Sequence, residues 1–365
     1  MLSLGVIAVE FGVAVLISKK TMLPLCIIGV LAGVALIAYF VTPGKVYWKD
    51  LYWSVMIESG IVDPARDFYP WTVAVSWSMD GSTVASAGYH PDVLLWDPFS
   101  GKLKSRLKGH ETWVQEVIFS KDGRYIASSD WDGKVILWDA AGGNMVMELA
   151  TVGEIFSIAF HPDGKYLAAG SYEGRVTIFD IESGQALHDF ASNEGGTLFL
   201  TYSPDGRILA AAGEDARIIL FDAHSYSPVG ELRGHEDGIT SMSFSADGNR
   251  LLSCGDDGAI RYWGIPKRKL LQTWQADKDW VNFLTFLHGD QQFLSAGADG
   301  KITRWSLKES DPVQVYNLHR EWAQCVRISR DGRYFASGDK DGIIRIWDLL
   351  ENALISTINV DQELH

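Results

Sequence analysis

The chain has 365 residues, of which 47% are hydrophobic, and a formal net charge of −14. This acidity argues against a general binder of nucleic acid or anionic lipid, because both are polyanions that repel it. Its three cysteines, Cys26, Cys254 and Cys325, do not form the pattern of a disulfide framework, and free thiols suit a reducing compartment. Residues 1–50 carry four lysines against two acidic residues, a net +2, so the remaining residues carry −16.

Two apolar runs open the chain. Thr21 to Thr42 is a run of 22 residues without a charged side chain. As a helix it would span about 33 Å, which matches the hydrocarbon core of a bilayer. Leu2 to Ser18 is a shorter run that contains Glu10, and a pair of lysines separates the two. We therefore predict that residues 1–45 form a membrane hairpin, with helices at about 2–18 and 21–42.

Two alternatives to the hairpin remain open. One is a single span whose first helix lies on the membrane surface or is buried, and the other is removal of the segment as a signal peptide. Within the hairpin, Gly29 and Gly33 have the spacing that lets helices approach closely in lipid, and Glu10 would pair with a partner subunit. Chance spacing and a carboxyl that reaches the membrane interface are the simpler explanations of these residues. Residues 46–68 are predicted to be a juxtamembrane linker whose aromatic rings suit the headgroup region.

An internal repeat of 41 or 42 residues fills the rest of the chain. Each unit places an aromatic residue at the same point, in a column made of Trp96, Trp138, Phe179, Phe221, Trp263, Trp305 and Trp347. Each unit also contains four short β-rich runs, separated by turns such as Asp122-Gly123. One four-stranded sheet cannot bury both of its faces, whereas seven packed around an axis can. The repeat therefore predicts an all-β, seven-bladed propeller over residues 69–362.

The repeats resemble the WD40 family through Trp-Asp pairs at 96–97, 138–139 and 347–348 and Gly-His pairs at 109–110 and 234–235. In that family a His, a Ser, an Asp and the Trp form a hydrogen-bonded tetrad inside a blade. The resemblance implies three complete tetrads, which are His110, Ser128, Asp132 and Trp138; His235, Ser253, Asp257 and Trp263; and His319, Ser337, Asp341 and Trp347. The other four blades lack at least one member, and we expect apolar packing to hold them together.

A second column, 25 residues before the first, contains four tryptophans: Trp71, Trp113, Trp280 and Trp322. The resemblance places this column on the narrower face of the ring. Blades 6, 7, 1 and 2 are neighbours once the ring closes, so the four side chains would form one arc. Tryptophan is enriched among the residues that dominate interface energies, and we predict that the arc binds a partner protein. Packing of each tryptophan on its own blade is the alternative.

No catalytic motif is evident in the sequence. It lacks GxSxG, P-loop, HExxH and paired CxxC patterns, so we expect no enzyme activity, cofactor, metal or small-molecule substrate. The preferred function is a membrane-tethered scaffold that recruits protein partners through the propeller face. The alternative is an accessory subunit of a larger membrane complex, docked through its helices, and an enzyme ranks third. Free thiols and the habit of the family favour a propeller on the cytoplasmic side.

Overall fold

The computed structural model describes residues 71–150, 153–317 and 319–364, together with four short strands within the first 41 residues. The chain divides into two compact units, Met1–Asp63 and Pro64–His365. In the first unit two antiparallel pairs are described. Their strands are β1 (Leu4–Ala8) with β2 (Ala14–Ser18), and β3 (Leu25–Ile28) with β4 (Ala38–Val41).

These strand pairs lie where helices at 2–18 and 21–42 were predicted. Apolar character alone does not distinguish a short strand from part of a helix, which is why the sequence did not anticipate them. The other residues of both runs, the linker 46–68, and Glu10, Gly29 and Gly33 lie outside the described residues. The membrane hairpin therefore stays a prediction. Among the described residues, no helix has the length and apolar character that a membrane crossing requires.

The second unit contains seven antiparallel sheets, each of four strands in sequential order, and this confirms the predicted all-β seven-bladed propeller. The strands of blades 1 to 4 are β5 (Thr72–Trp77), β6 (Val84–Gly88), β7 (His90–Trp96), β8 (Leu103–Leu107); β9 (Val114–Phe119), β10 (Tyr125–Asp130), β11 (Lys134–Asp139), β12 (Met145–Ala150); β13 (Ile155–Phe160), β14 (Tyr166–Ser171), β15 (Arg175–Asp180), β16 (Ala186–Ala191); β17 (Thr197–Tyr202), β18 (Ile208–Gly213), β19 (Arg217–Asp222) and β20 (Pro228–Arg233).

Blades 5 to 7 repeat the same order and are followed by a short helix, α1 (Asp361–Leu364). Their strands are β21 (Ile239–Phe244), β22 (Arg250–Gly255), β23 (Ala259–Gly264), β24 (Lys269–Gln275); β25 (Val281–Phe286), β26 (Gln292–Gly297), β27 (Lys301–Ser306), β28 (Gln314–Asn317); β29 (Ala323–Ile328), β30 (Tyr334–Asp339), β31 (Ile343–Asp348) and β32 (Ala353–Asn359).

Burial increases from the fourth strand of a blade to the second. In β10 five consecutive residues are buried, and small side chains such as Ala127, Ser128 and Ser129 let the neighbouring blades pack closely. In β16, by contrast, five of six residues are exposed, because the outer strand forms the edge of its sheet. The hydrophobic core therefore lies between blades.

The ring closes through side chains, because blade 7 takes all four of its strands from the C-terminal end of the chain. The Trp77 indole N–H of blade 1 donates to the backbone carbonyl of Arg327 in blade 7, at 3.1 Å. The Arg327 guanidinium in turn lies 3.2 Å from the Glu116 carboxylate of blade 2. At the periphery, Arg106 of β8 donates to the backbone carbonyl of Glu363 in α1. These contacts hold the last blade against the first without a shared strand.

Candidate functional site

Blade 2 contains a buried chain of polar side chains. The two imidazole nitrogens of His110 lie 2.7 Å from Oδ2 of Asp130 and 2.6 Å from Oγ of Ser128. The indole N–H of Trp138 donates to the same Ser128 oxygen at 2.8 Å. This network satisfies polar groups that would otherwise be unpaired inside the blade. It binds no partner and serves the fold.

The acidic member of this network corrects the prediction, which was Asp132. Asp130 is the last residue of β10, and its Oδ1 also accepts the backbone N–H groups of Asp132 (3.1 Å) and Lys134 (2.9 Å). The turn therefore wraps around Asp130, while the side chain of Asp132 is exposed. Burial and the nearby charges of Asp130 and Glu111 raise the pKa of Asp132, so its neighbours disfavour its charge.

Blade 5 joins the four side chains that the resemblance implied. His235 lies 3.0 Å from Asp257 and 2.7 Å from Ser253, which also accepts the Trp263 indole N–H at 2.8 Å. The blade has Gly255 at the place of Asp130, so the next carboxylate in the turn reaches the histidine. Arg261, 2.6 Å from Asp257, supplies that carboxylate with a counter-charge.

Blade 7 departs from its predicted set in two ways. His319 bonds Ser337 (2.7 Å) but takes Asp339 (2.6 Å), at the end of β30, in place of Asp341. The indole N–H of Trp347 has no acceptor within the described part of the chain. Its ring packs parallel to Phe335, with centroids 6.3 Å apart. Apolar packing alone therefore holds this tryptophan.

A continuous row of aromatic rings follows the end of the propeller where the second strand of each blade turns into the third. Trp280 and Trp322 meet edge to face with centroids 4.7 Å apart. The Lys340 ammonium lies 3.2 Å from the centroid of Trp322 and 4.4 Å from that of Trp71. Trp71 then stacks on Tyr89 at 4.7 Å. One cation thus links the tryptophans of blades 7 and 1.

The row continues through blades 1 to 3. Tyr89 stacks on Trp113 at 4.5 Å with the ring planes 1° apart, and Trp113 meets Trp131 edge to face at 5.8 Å. Phe156 lies 5.8 Å from Trp131 and 5.5 Å from Tyr172. We call this set the aromatic belt; its members are Trp280, Trp322, Trp71, Tyr89, Trp113, Trp131, Phe156 and Tyr172.

Backbone hydrogen bonds explain why the belt draws on two columns of the repeat. The N–H of Trp131 donates to the carbonyl of Trp113 (3.0 Å), and Tyr89 and Trp71 repeat this bond in blade 1 (3.3 Å). The same bond joins Tyr172 to Glu154 in blade 3, so Glu154 stands at the place of the tryptophan there. The sequence analysis found the first column and missed the second. A signal for it was present, seven residues before the Trp-Asp column.

Exposure separates the four tryptophans that were predicted to bind a partner. Trp71, Trp280 and Trp322 are half-buried, so each still presents part of its ring. Trp113 is 0% exposed, enclosed between Tyr89 and Trp131, and cannot touch a partner. The arc prediction is wrong for Trp113, because the rings that cover it come from a column that the prediction did not include. Trp113 supports the belt from within.

The corresponding loops of blades 3 to 5 are acidic. They hold no Lys or Arg and nine carboxylates, which we call the acidic half: Glu154, Glu173, Glu194, Glu214, Asp215, Glu236, Asp237, Asp256 and Asp257. Two arginines in the following strands neutralise part of this charge, since Arg217 lies 2.7 Å from Asp215 and Arg261 lies 2.6 Å from Asp257. One end of the propeller is thus divided into an aromatic side and an acidic side.

Comparison with protein families agrees with this architecture. The model described as WD domain, G-beta repeat matches residues 101–139 and 310–348, which end at the Trp-Asp pairs of blades 2 and 7. The model described as Echinoderm microtubule-associated protein second beta-propeller matches residues 129–288. No curated protein matches the chain. The chain therefore carries WD40 repeats, and they form a seven-bladed β-propeller.

Proposed function

We propose that the protein is an interaction scaffold whose partner protein docks on the aromatic belt. The observation that carries this proposal is the stacked, half-exposed row of rings across blades 6, 7, 1, 2 and 3. Such rings bury a large area on contact, and they have few side-chain rotations left to lose because they already pack on one another. A WD40 propeller is suited to protein interaction, and the belt gives that interaction a location.

We also propose that residues 1–45 anchor the scaffold in a membrane, with the propeller on the cytoplasmic side. The charge-free run from 21 to 42 supports the anchor, and the free thiols support the side. Tethering confines the propeller to a surface and raises the effective concentration of what it recruits. Alkaline carbonate should leave the full chain in the membrane pellet, and extraction into the supernatant would remove the anchor from the proposal.

The accessory-subunit alternative makes a different prediction for purification. If Glu10, Gly29 and Gly33 contact partner helices, integral membrane proteins should copurify in fixed stoichiometry in mild detergent. A scaffold should instead yield soluble partners that salt or dilution removes. The Gly29→Leu and Gly33→Leu double variant provides the control, because it should release integral partners while leaving capture through the propeller intact.

The belt is tested by the double variant Trp280→Ala with Trp322→Ala. Partner capture should weaken by tenfold or more, since each such anchor is worth about 2 kcal/mol or more. The matched control is Leu270→Ala with Leu271→Ala, which removes two exposed apolar side chains from the outer strand β24. Melting temperature is recorded for both variants. A folded tryptophan variant that captures its partners at the wild-type level would show that the belt is not the docking site.

A further inference from the structure

We infer that the partner segment received by this end of the propeller is cationic: apolar side chains rest on the aromatic belt while a stretch of Lys and Arg lies along the acidic half. This inference rests on the proposed docking function and specifies the chemistry of its partner. It adds to the belt a second requirement, that of charge, which the belt alone does not impose.

The first argument is the distribution of charge around the ring. The loops of blades 3 to 5 carry nine carboxylates, and allowing for Arg217 and Arg261 leaves a net charge of −7. The equivalent loops of blade 7 carry three acidic and two basic residues, a net −1. A potential that is concentrated on one side of a docking surface orients an approaching partner and favours the oppositely charged segment. The acidic half therefore selects for positive charge at a fixed distance from the belt.

The second argument is how the carboxylates are placed. Where the belt has tryptophans, blades 4 and 5 have Gly196 and Gly238, which set no side chain over the neighbouring acidic residue. A methyl group at Gly238 would stand only 3.2 Å from Oδ2 of Asp256 and 3.6 Å from the Cα atom of Glu214. In blade 1, at the same place, Trp71 stacks on Tyr89. The repeat thus covers aromatic neighbours and leaves space above acidic ones.

The third argument is that the belt already holds a cation of its own. Lys340 lies against both Trp322 and Trp71, within cation–π distance of each ring. The electron-rich faces at the centre of the belt are therefore occupied by an intramolecular ammonium. A cationic partner segment meets the least competition over blades 3 to 5, where the equivalent loops contribute no Lys or Arg. The belt consequently offers its exposed ring edges to apolar side chains.

The test measures binding of a synthetic peptide that contains a block of arginines followed by leucines, labelled with a fluorophore, to the full chain in a non-ionic detergent. Its matched counterpart replaces each arginine by glutamate. We expect the arginine peptide to bind, with an affinity that falls as salt is raised, and the glutamate peptide not to bind. The triple variant Glu173→Gln, Glu214→Gln and Asp256→Asn should weaken binding about tenfold, at a typical surface ion-pair energy for each site.

The control variant removes the same charge from the opposite end of the propeller. Glu182→Gln, Glu309→Gln and Glu351→Gln lie in exposed turns between third and fourth strands, and they should change the affinity less than about twofold. If the triple variant does not fold, Glu173→Gln alone serves, because Glu173 is exposed and should still weaken binding measurably. Equal binding of both peptides, or equal effects of the two triple variants, would overturn the inference.

The outcome for charge is separable from the outcome for the belt. If Trp280→Ala with Trp322→Ala abolishes capture of the natural partner but the arginine peptide does not bind, the docking site stands and its cationic specificity falls. If the tryptophan variant and the acidic variant both leave partner capture unchanged, this end of the propeller is not the docking face.

Discussion

Replacing Asp130 by Ala tests the corrected polar network of blade 2. The substitution removes the partner of a fully buried His110 nitrogen and the acceptor of two backbone N–H groups at the turn. Leaving a buried donor unsatisfied costs about 1–3 kcal/mol, and losing a turn-capping carboxylate costs about 0.5–2 kcal/mol. The free energy of unfolding should therefore fall by about 3–5 kcal/mol, which corresponds to about 6–15 °C in melting temperature for a domain of this size.

Asp132→Ala is the matched control, two residues away in the same turn. Its side chain is exposed and lies outside the network, so its loss should change stability by no more than about 0.5 kcal/mol. Asp257→Ala removes the residue that occupies the same place in the repeat of blade 5, yet it should be costly, because Asp257 holds His235. Thermal and urea unfolding of the full chain in a non-ionic detergent provide the measurement. Equal losses for Asp130→Ala and Asp132→Ala would refute the assignment.

Two further predictions concern groups that lack a hydrogen-bond partner. Trp138→Phe should cost at least about 1 kcal/mol more than Trp347→Phe, because only Trp138 donates its indole N–H to a serine, and equal melting temperatures for the two variants would contradict this. His90 is buried in blade 1, and burial lowers its pKa from the ordinary 6.5 to about 4. The unfolded chain binds the proton more tightly, so this stability is complete above pH 6.5 and is lost as the pH falls towards 4, by about 3 kcal/mol in total. Relative to His90→Asn, the wild type should lose that amount in urea titrations across this range, and parallel pH profiles would argue against a neutral buried imidazole.

The repeat carried most of the fold, because its spacing is a property of the chain alone. A column of Trp and Phe at intervals of 41 or 42 residues, with a turn at a fixed distance, leaves few architectures open. The tetrad acid was harder to predict because Asp130 and Asp132 lie in one turn, and spacing cannot tell which carboxylate points inward. Blade 5 shows that the choice depends on whether the strand ends in an acidic residue, as at Asp130, or in Gly255.

The belt shows where one-column reasoning ends. Trp113 could be placed at the correct end of the propeller from its position in the repeat. Its complete burial follows from Tyr89 and Trp131, which reach it from the turns of two blades. Contacts between side chains of different repeats depend on the three-dimensional ring, and only the register of the second column could have suggested them. Glu154, bonded to Tyr172, likewise takes its place from a hydrogen bond and not from counting.

Ring closure has a consequence for the order in which the protein matures. Lys340 and Trp71, which join the two ends of the belt, come from the last blade and the first, so their contact spans nearly the whole propeller sequence. A ribosome releases the amino-terminal blades long before it completes the final one, and early blades can acquire local structure while they wait. The seam, however, can be sealed only after termination of synthesis. A truncated or still-nascent polypeptide would thus present individual sheets but no complete recognition surface, which limits recruitment to finished molecules.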